Sequence, residues 1–251
     1  MIAGAEAPRI GRALNSVTSL AKEIVVVLNS EVTDGTEEIA RSTGAKVFRE
    51  PWKGYGGQKN SAASKASEPW LLGLDADEVV STELQTEIRQ ILGDPARIGE
   101  FAAFSFPRRS WYCGRWIRHG DWYPDRQIRL WRTQKAVWAG LEPHAKLTVQ
   151  GRVGKLRADL HHYSNESIAR QIAKISPYHQ DYVRQRLASG RSAGWMELTV
   201  RPGWRFMRAY FMRLGFLDGW QGFYIAALSS FSTLTRYALV REAAEQDRSR
   251  A

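Results

Sequence analysis

The sequence predicts an α/β protein: a mostly parallel sheet with helices on both faces, followed by a helical C-terminal region. Three observations carry that expectation. Strand-like and helix-like segments alternate over residues 1–100, which places helices on the faces of a parallel sheet. The strand candidates are short, nearly continuous apolar runs, as strands buried on both faces are. The last third of the chain turns to aromatic and arginine residues at nearly helical intervals. Its 251 residues can bury a full core, and the expected division is 1–165 for the α/β part and 166–251 for the helical part.

In chain order, "EIVVVLN" (23–29) is a valine-rich strand and "TEEIARSTG" (36–44) a helix closed by glycine. "AKVFRE" (45–50) is a short strand. "GGQKNSAASKAS" (56–67) is a small-residue helix, and Leu71, Leu72 and Leu74 mark a buried strand. "STELQTEIRQIL" (81–92) is a helix with Ser81 as N-cap and a following glutamate expected to complete a capping box.

The leucine strand ends in Asp75, Asp77 and Glu78, three carboxylates that repel each other unless solvent, a basic neighbour or a metal offsets their charge. In α/β sheets ligands gather at the carboxyl ends of strands. "NSEVTDGT" follows the valine strand and "DADE" the leucine strand, so the two loops are expected to meet at one edge. Carboxylates at i and i+2 suit Mg²⁺ or Mn²⁺ bridging to phosphate oxygens. Asp34 can bind ribose or base, or cap the next helix. Lys59 and Asn60 follow a Gly-Gly pair at a helix start, where backbone approaches anions closely.

The net charge of +10 points to an anionic partner: nucleotide, nucleic acid or acidic lipid. No RNA-recognition, KH or zinc-finger pattern supports nucleic acid. Cys113 is the only cysteine, which excludes an intrachain disulfide and a Cys-rich zinc site. No leader pattern opens the sequence, so a cytoplasmic location is expected.

The order "EIVVVLNSEVTDGTEEIARSTGAKVF", "PWKGYGGQKN", "WLLGLDADEVV" resembles family 2 glycosyltransferases of the GT-A fold. "FPRRSWYCGRWIRHGDWYPDRQIRLWR" and "RADLHHYS" narrow the likeness to bacterial lipopolysaccharide core β-1,4-glucosyltransferases. The resemblance implies a nucleotide-sugar donor, a divalent metal, an inverting transfer and a lipid-linked saccharide acceptor. It assigns donor binding to Asn29, Asp34, Lys59, Asn60 and Asp75, and metal binding to Asp75 and Asp77. The general base falls to Asp125 or Glu142, near His144. The sequence departs from the family pattern in three places. "MIAGAEAPRIGRAL" retains only a stump of the first strand, Asn29 stands where an aspartate is usual, and Ala145 replaces an acid after His144. Those departures keep open a non-catalytic, lipid-binding protein on a degenerate transferase scaffold.

Seven arginines crowd residues 107–132, with Trp111, Trp116, Trp122, Trp131 and Trp138 in or just after them. Indoles stack on sugars and guanidinium groups clamp phosphate or carboxylate, which makes Arg108, Arg109 and Trp122 acceptor-binding candidates. About half of this set is expected to be structural. His161 and His162 can orient acceptor or metal. From Arg201 onward, Arg205, Arg208 and Arg213 alternate with Trp204, Phe206, Tyr210 and Phe211, as in a helix lying in a membrane interface. Residues 222–240 are long enough to span a bilayer, yet Arg236 and five Ser/Thr argue for a packed or half-sunk helix. The expected location is the inner face of a bacterial inner membrane, on an anionic surface. The tail from Glu242 is expected to fray.

Overall fold

Apolar runs become strands and the segments between them become helices in a computed structural model that describes residues 1–140, 145–163 and 168–250. The chain divides into two units, Met1–Arg109 with Asp125–Tyr163, and Ser110–Pro124 with Ser164–Ala251.

The first unit begins with β1 (Ile2–Ala3), α1 (Ala7–Asn15), β2 (Val25–Asn29), α2 (Thr36–Ser42), β3 (Lys46–Glu50) and α3 (Gly54–Ser64). These three strands form a parallel sheet in the order β1-β2-β3, with Val26 opposite Val47 and Val27 opposite both Ile2 and Phe48. Parallel pairing follows from the intervening helices, which return the chain to the same end. Then come β4 (Trp70–Leu72), β5 (Glu78–Val80), α4 (Thr82–Leu92), α5 (Pro95–Gly99) and β6 (Ala103–Tyr112), whose last residues enter the second unit. After β7 (Arg115–Trp116) of the second unit, the first resumes with β8 (Asp125–Arg132), β9 (Ala136–Ala139), β10 (Lys146–Val149), β11 (Val153–Lys155) and β12 (Leu160–His162).

The leucine strand does not join the parallel set. β4 pairs antiparallel with β8, in the order β4-β8-β6-β12-β5. Its partner lies some sixty positions downstream, so local alternation carried no sign of it. The half-buried strand ends at Leu72, and Leu74 is buried beyond it among Val80, Leu84, Ile88, Phe104 and Leu160. Ser81 caps α4 by accepting from the Leu84 amide at 3.1 Å. Leu84, not a glutamate, occupies the third helical position, so the reciprocal half of the capping box is absent.

Among the described residues, β1 pairs with Val27 and Leu28 of β2, and β4 is bonded on one side, to β8. A cavity of about 570 Å³ is lined by Val25 of β2, Trp70 and Leu72 of β4, Leu14 of α1, Ile88 of α4, and Val17 in the turn after α1. The Met1 ammonium borders it and donates to the Val25 carbonyl at 2.8 Å, one rung beyond β1.

In the second unit, α6 (Ile168–Ala188), α7 (Trp195–Leu198), α8 (Val200–Met207) and α9 (Gly219–Arg250) surround two small cores. α9 continues through the tail to Arg250, with an Arg241–Glu245 pair at 2.9 Å one turn apart. Among the described residues, no helix is long and apolar enough to cross a membrane.

Candidate active site

The acidic loop between β4 and β5 is shaped by close packing. A Cβ on Gly73 would lie 2.8 Å from the Trp131 ring, so only glycine lets the chain pass there. The Gly73 amide donates to the Arg129 carbonyl at 2.7 Å, tying the loop to β8.

Basic neighbours offset the repulsion among the loop carboxylates. Asp75 Oδ1 lies 2.8 Å from Lys59 Nζ, and Oδ2 lies 2.5 Å from Arg129 Nη2. Burial alone would raise the Asp75 carboxyl; the charges of Arg129 and Lys59 outweigh it and hold the group well below the ordinary range. Glu78 is fully buried. Its Oε1 accepts from Arg129 Nη2 at 2.8 Å and from Arg108 Nη1 at 3.2 Å, while Oε2 accepts from the Asp75 amide at 3.1 Å. Arg108 continues to Asp125, donating from Nε at 2.9 Å and Nη2 at 2.7 Å, and Gln127 donates to the other oxygen at 2.7 Å. The result is one chain of ion pairs: Lys59, Asp75, Arg129, Glu78, Arg108, Asp125.

Arg129 reaches this position through a β-bulge. The register of β6 on β8 steps from Phe104 opposite Leu130 to Ser105 opposite Ile128, leaving Arg129 without a partner residue. Bulges re-aim side chains beside functional sites. Simple alternation along β8 would not have placed this guanidinium in the acidic loop.

Asp77 stands apart from that chain. Its Oδ2 lies 3.4 Å from His162 Nε2 and 3.9 Å from Arg9 Nη1, and its backbone carbonyl accepts from the Tyr163 amide at 2.8 Å. Burial pushes its carboxyl up, but His162 and Arg9 outweigh burial and the nearby Asp75, so the net direction is down. Among the described residues, no three His, Cys, Asp or Glu side chains converge as a full ligand set. Asp77 and His162 form a two-donor pair. That fits a hard cation completed by phosphate oxygens, since Mg²⁺ is ordinarily held by one or two carboxylates plus substrate phosphates. Asp75 has both oxygens on cationic side chains.

The other candidates fall as follows. Asn29 ends β2, and its Oδ1 accepts from the Glu31 amide at 3.4 Å. Asp34 organises the turn before α2: Oδ1 accepts from the Thr36 amide at 3.1 Å and its hydroxyl at 2.5 Å, and Oδ2 from the Ala7 amide at 3.2 Å. The Thr36 hydroxyl bond leads in holding the Asp34 carboxyl down. The Asn60 side chain exchanges two 2.9 Å hydrogen bonds with the Trp138 backbone, clamping β9 to α3. Lys59 Nζ sits 4.4 Å from the Trp138 ring centre. Arg109 lies 2.9 Å from His161 Nε2 and 3.2 Å from Asp159. Burial first, then Arg109, lowers the His161 pKa. Trp122 belongs to the second unit, where its ring meets Tyr112 edge-on at 5.2 Å. Glu142 and His144 lie outside the described residues.

Sequence reasoning passed over two connections here. Glu78 and Arg129 were each legible as members of a cluster, but not as the link between the Asp75 and Asp125 sites.

Comparison with known proteins shows the family of the chain. Residues 1–148 match the model of the family described as Glycosyl transferase family 2. An uncharacterised glycosyltransferase of Rickettsia typhi is 32% identical over 246 residues, covering 94% of this chain and 84% of that protein. The lipopolysaccharide core biosynthesis glycosyltransferase LpsC of Rhizobium meliloti is 27% identical over 244 residues, covering 92% and 88%. Among solved structures, S. aureus TarS 1–349 in complex with UDP-GlcNAc superposes with a TM-score of 0.51 at 15% identity, covering 98% of this chain and 90% of that one. That likeness bears on the fold alone.

Proposed function

The chain belongs to glycosyl transferase family 2, and from that premise we propose that it moves a sugar from a nucleotide-sugar donor to a lipid-linked saccharide in cell-envelope synthesis, the lipopolysaccharide core being the favoured setting. The observation that carries the reading is the acidic loop after β4, wired through Arg129, Glu78 and Arg108 to Asp125. The likeness to LpsC supports the setting, and membership of the family supports the donor class.

In this reading the donor lies over the carboxyl ends of β2 and β4, with Asn29, Asp34, Lys59, Asn60 and Asp75 as its binding candidates. The carboxylates Asp75, Asp77, Glu78 and Asp125 are already matched by Lys59, Arg9, Arg129 and Arg108. A diphosphate entering this balanced cluster calls for an added cation. Asp77 with His162 would hold Mg²⁺ or Mn²⁺, and Asp75 would serve beside it by fixing Lys59 and Arg129. When bound, the cation would neutralise charge on the departing nucleoside diphosphate. A carboxylate takes the proton of the acceptor hydroxyl as that oxygen attacks the opposite face of the sugar, inverting the anomeric carbon. Asp125 is one candidate, held in orientation by Arg108 and Gln127. Glu142, with His144, is the other. Arg108 and Arg109 are proposed to meet acceptor anions, and Trp122 to offer a sugar-stacking ring. The enzyme is proposed to work on the cytoplasmic face of a bacterial inner membrane, against an anionic surface.

The test is release of nucleoside diphosphate from a panel of nucleotide sugars, with extracted envelope glycolipid as acceptor and Mg²⁺ or Mn²⁺ present. Wild-type chain should release it from one donor, and Asp77→Asn should lose release by at least about a hundredfold while remaining folded. No release from any donor would favour the degenerate-scaffold reading, to which Asn29 and Ala145 point. Equal release by wild type and Asp77→Asn would remove the cation from the proposed site.

A further inference from the structure

The second unit exposes far more apolar surface than its small cores require. Trp195, Met212, Trp204 and Trp220 are 72%, 63%, 57% and 56% exposed, and Leu214 and Leu217 are nearly half exposed. Scattered exposed apolar side chains are ordinary; a run of them within one short stretch marks an interaction surface.

The backbone beneath is closely packed. α8 passes into a single π-helical turn, Arg208–Met212, and then a 3-10 turn, Gly215–Asp218. A Cβ on Gly222 would lie 1.9 Å from the Gly215 carbonyl oxygen, and one on Gly215 would lie 2.6 Å from that of Ala209. These turns therefore lock against the start of α9. Phe206, Tyr210, Phe211 and Phe223 brace the stretch through ring contacts of 5.0–6.3 Å. The apolar side chains are held outward by packing rather than left loose.

Charge is sorted in depth. The sequence reading took Arg205, Arg208 and Arg213 as separate lipid contacts. Instead they share one carboxylate, Asp121, at 2.7, 3.0 and 3.2 Å. The Asp121 side chain is 4% exposed, whereas the three guanidinium side chains are 35–49% exposed. Three cations on one buried anion leave two positive charges facing out. Asp218 is likewise buried, spent on the amides of Arg118 and His119. The acids lie inside and the cations outside.

We propose that residues 200–223 form a membrane-docking wedge, with Met212, Leu214, Leu217 and Trp220 entering the acyl boundary while the Asp121-centred arginines receive lipid phosphates. This deepens the membrane-acceptor reading above and rests on it. The chemistry selects a bilayer over RNA, because Met212, Leu214 and Leu217 offer no face on which a base can stack. A wedge of this kind lies in the interface without spanning it, in keeping with the absence of a spanning helix among the described residues.

Flotation of the full chain with phosphatidylcholine vesicles, with and without about 30% phosphatidylglycerol, tests this. Wild type should float with the anionic vesicles at low salt and retain part of that binding at high salt, because apolar insertion is not screened. The double variant Met212→Glu, Leu217→Glu should bind at least tenfold more weakly with an unchanged melting curve, since both side chains are exposed. Arg213→Gln should weaken binding about fivefold. The proposal is overturned if wild type does not float, if the double variant floats equally well, or if neutral vesicles bind as tightly as anionic ones. A wild-type dimer that the double variant converts to monomer would also overturn it, assigning the patch to a second copy. Wild type that releases nucleotide with detergent-solubilised acceptor yet does not float would sink the wedge alone; wild type that floats without releasing nucleotide would sink the transferase reading alone.

Discussion

In a chain made to begin at Met1, the terminal ammonium offers a sharp stability test, because it borders the cavity beside β2 and β4. Burial lowers its pKa to about 6; Asp75 pulls it back up and Lys59 pushes it further down. A free amine in the unfolded chain titrates near 8. Folding thus favours the neutral amine, and the unfolded chain binds more protons between these values. Stability from this group is fully present above pH 8 and is lost as pH falls through 8 toward 6. A gap of two pKa units corresponds to about 3 kcal/mol once the pH lies below both values. His161 and His179, whose pKa values are also lowered, add slopes of their own at acid pH, so the measurement must be differential. The comparison chain carries about four strand-forming residues ahead of Met1. Its peptide N–H replaces the ammonium on the Val25 carbonyl, and the added strand of roughly 13 Å enters the cavity. Urea unfolding at a series of pH values should show the extended chain gaining on the parent by about 3 kcal/mol between pH 8.5 and pH 5. Parallel stability curves would refute the reasoning: the amine would then be solvated and the cavity open to water.

Other substitutions probe the ion-pair chain and its packing. Arg129→Met leaves Glu78 buried with Arg108 as its remaining side-chain partner and should cost about 3–5 kcal/mol in chemical unfolding; a loss under 1 kcal/mol would mean that the pairing is not formed. Gly73→Ala drives a methyl group into the Trp131 ring and should cost about 1–3 kcal/mol by the same assay. Asp125→Asn and Glu142→Gln should differ sharply in kcat, with donor affinity little changed for the true base; equal, mild effects would exclude both carboxylates.

What the sequence made legible was local. The valine run of β2 and the cap of α4 depend on residues within a few positions of one another, so pattern sufficed. The partner of β4 lies beyond any such window, and its antiparallel pairing with β8 had no local sign. The arginine-rich middle segment shows the same limit at the level of side chains. Arg126 donates to the Ser105 and Leu156 carbonyls and Arg132 to the Phe101 and Ile98 carbonyls, so both serve strand packing. Trp131 is buried, and Trp111 meets Trp116 edge-on across the β6–β7 pair. Composition gave all of these the same weight as Arg108, which reaches a site carboxylate. Only the register separates them.

The bulge at Arg129 explains why the acids could not be understood from their own segment. Three carboxylates within four positions called for solvent, a basic neighbour or a metal to offset their repulsion. The fold supplies much of it in advance, from a residue whose direction depends on one extra position in β8 opposite Phe104 and Ser105. Asp75 is thereby tied to cations, while Asp77 has His162 and the more distant Arg9 near its carboxylate. Carboxylates two positions apart in sequence thus acquire different capacities. One is committed to Lys59 and Arg129, and in the proposed reading the other accepts the cation. A spacing rule treats the pair as equivalent, and the neighbouring strand makes them unequal.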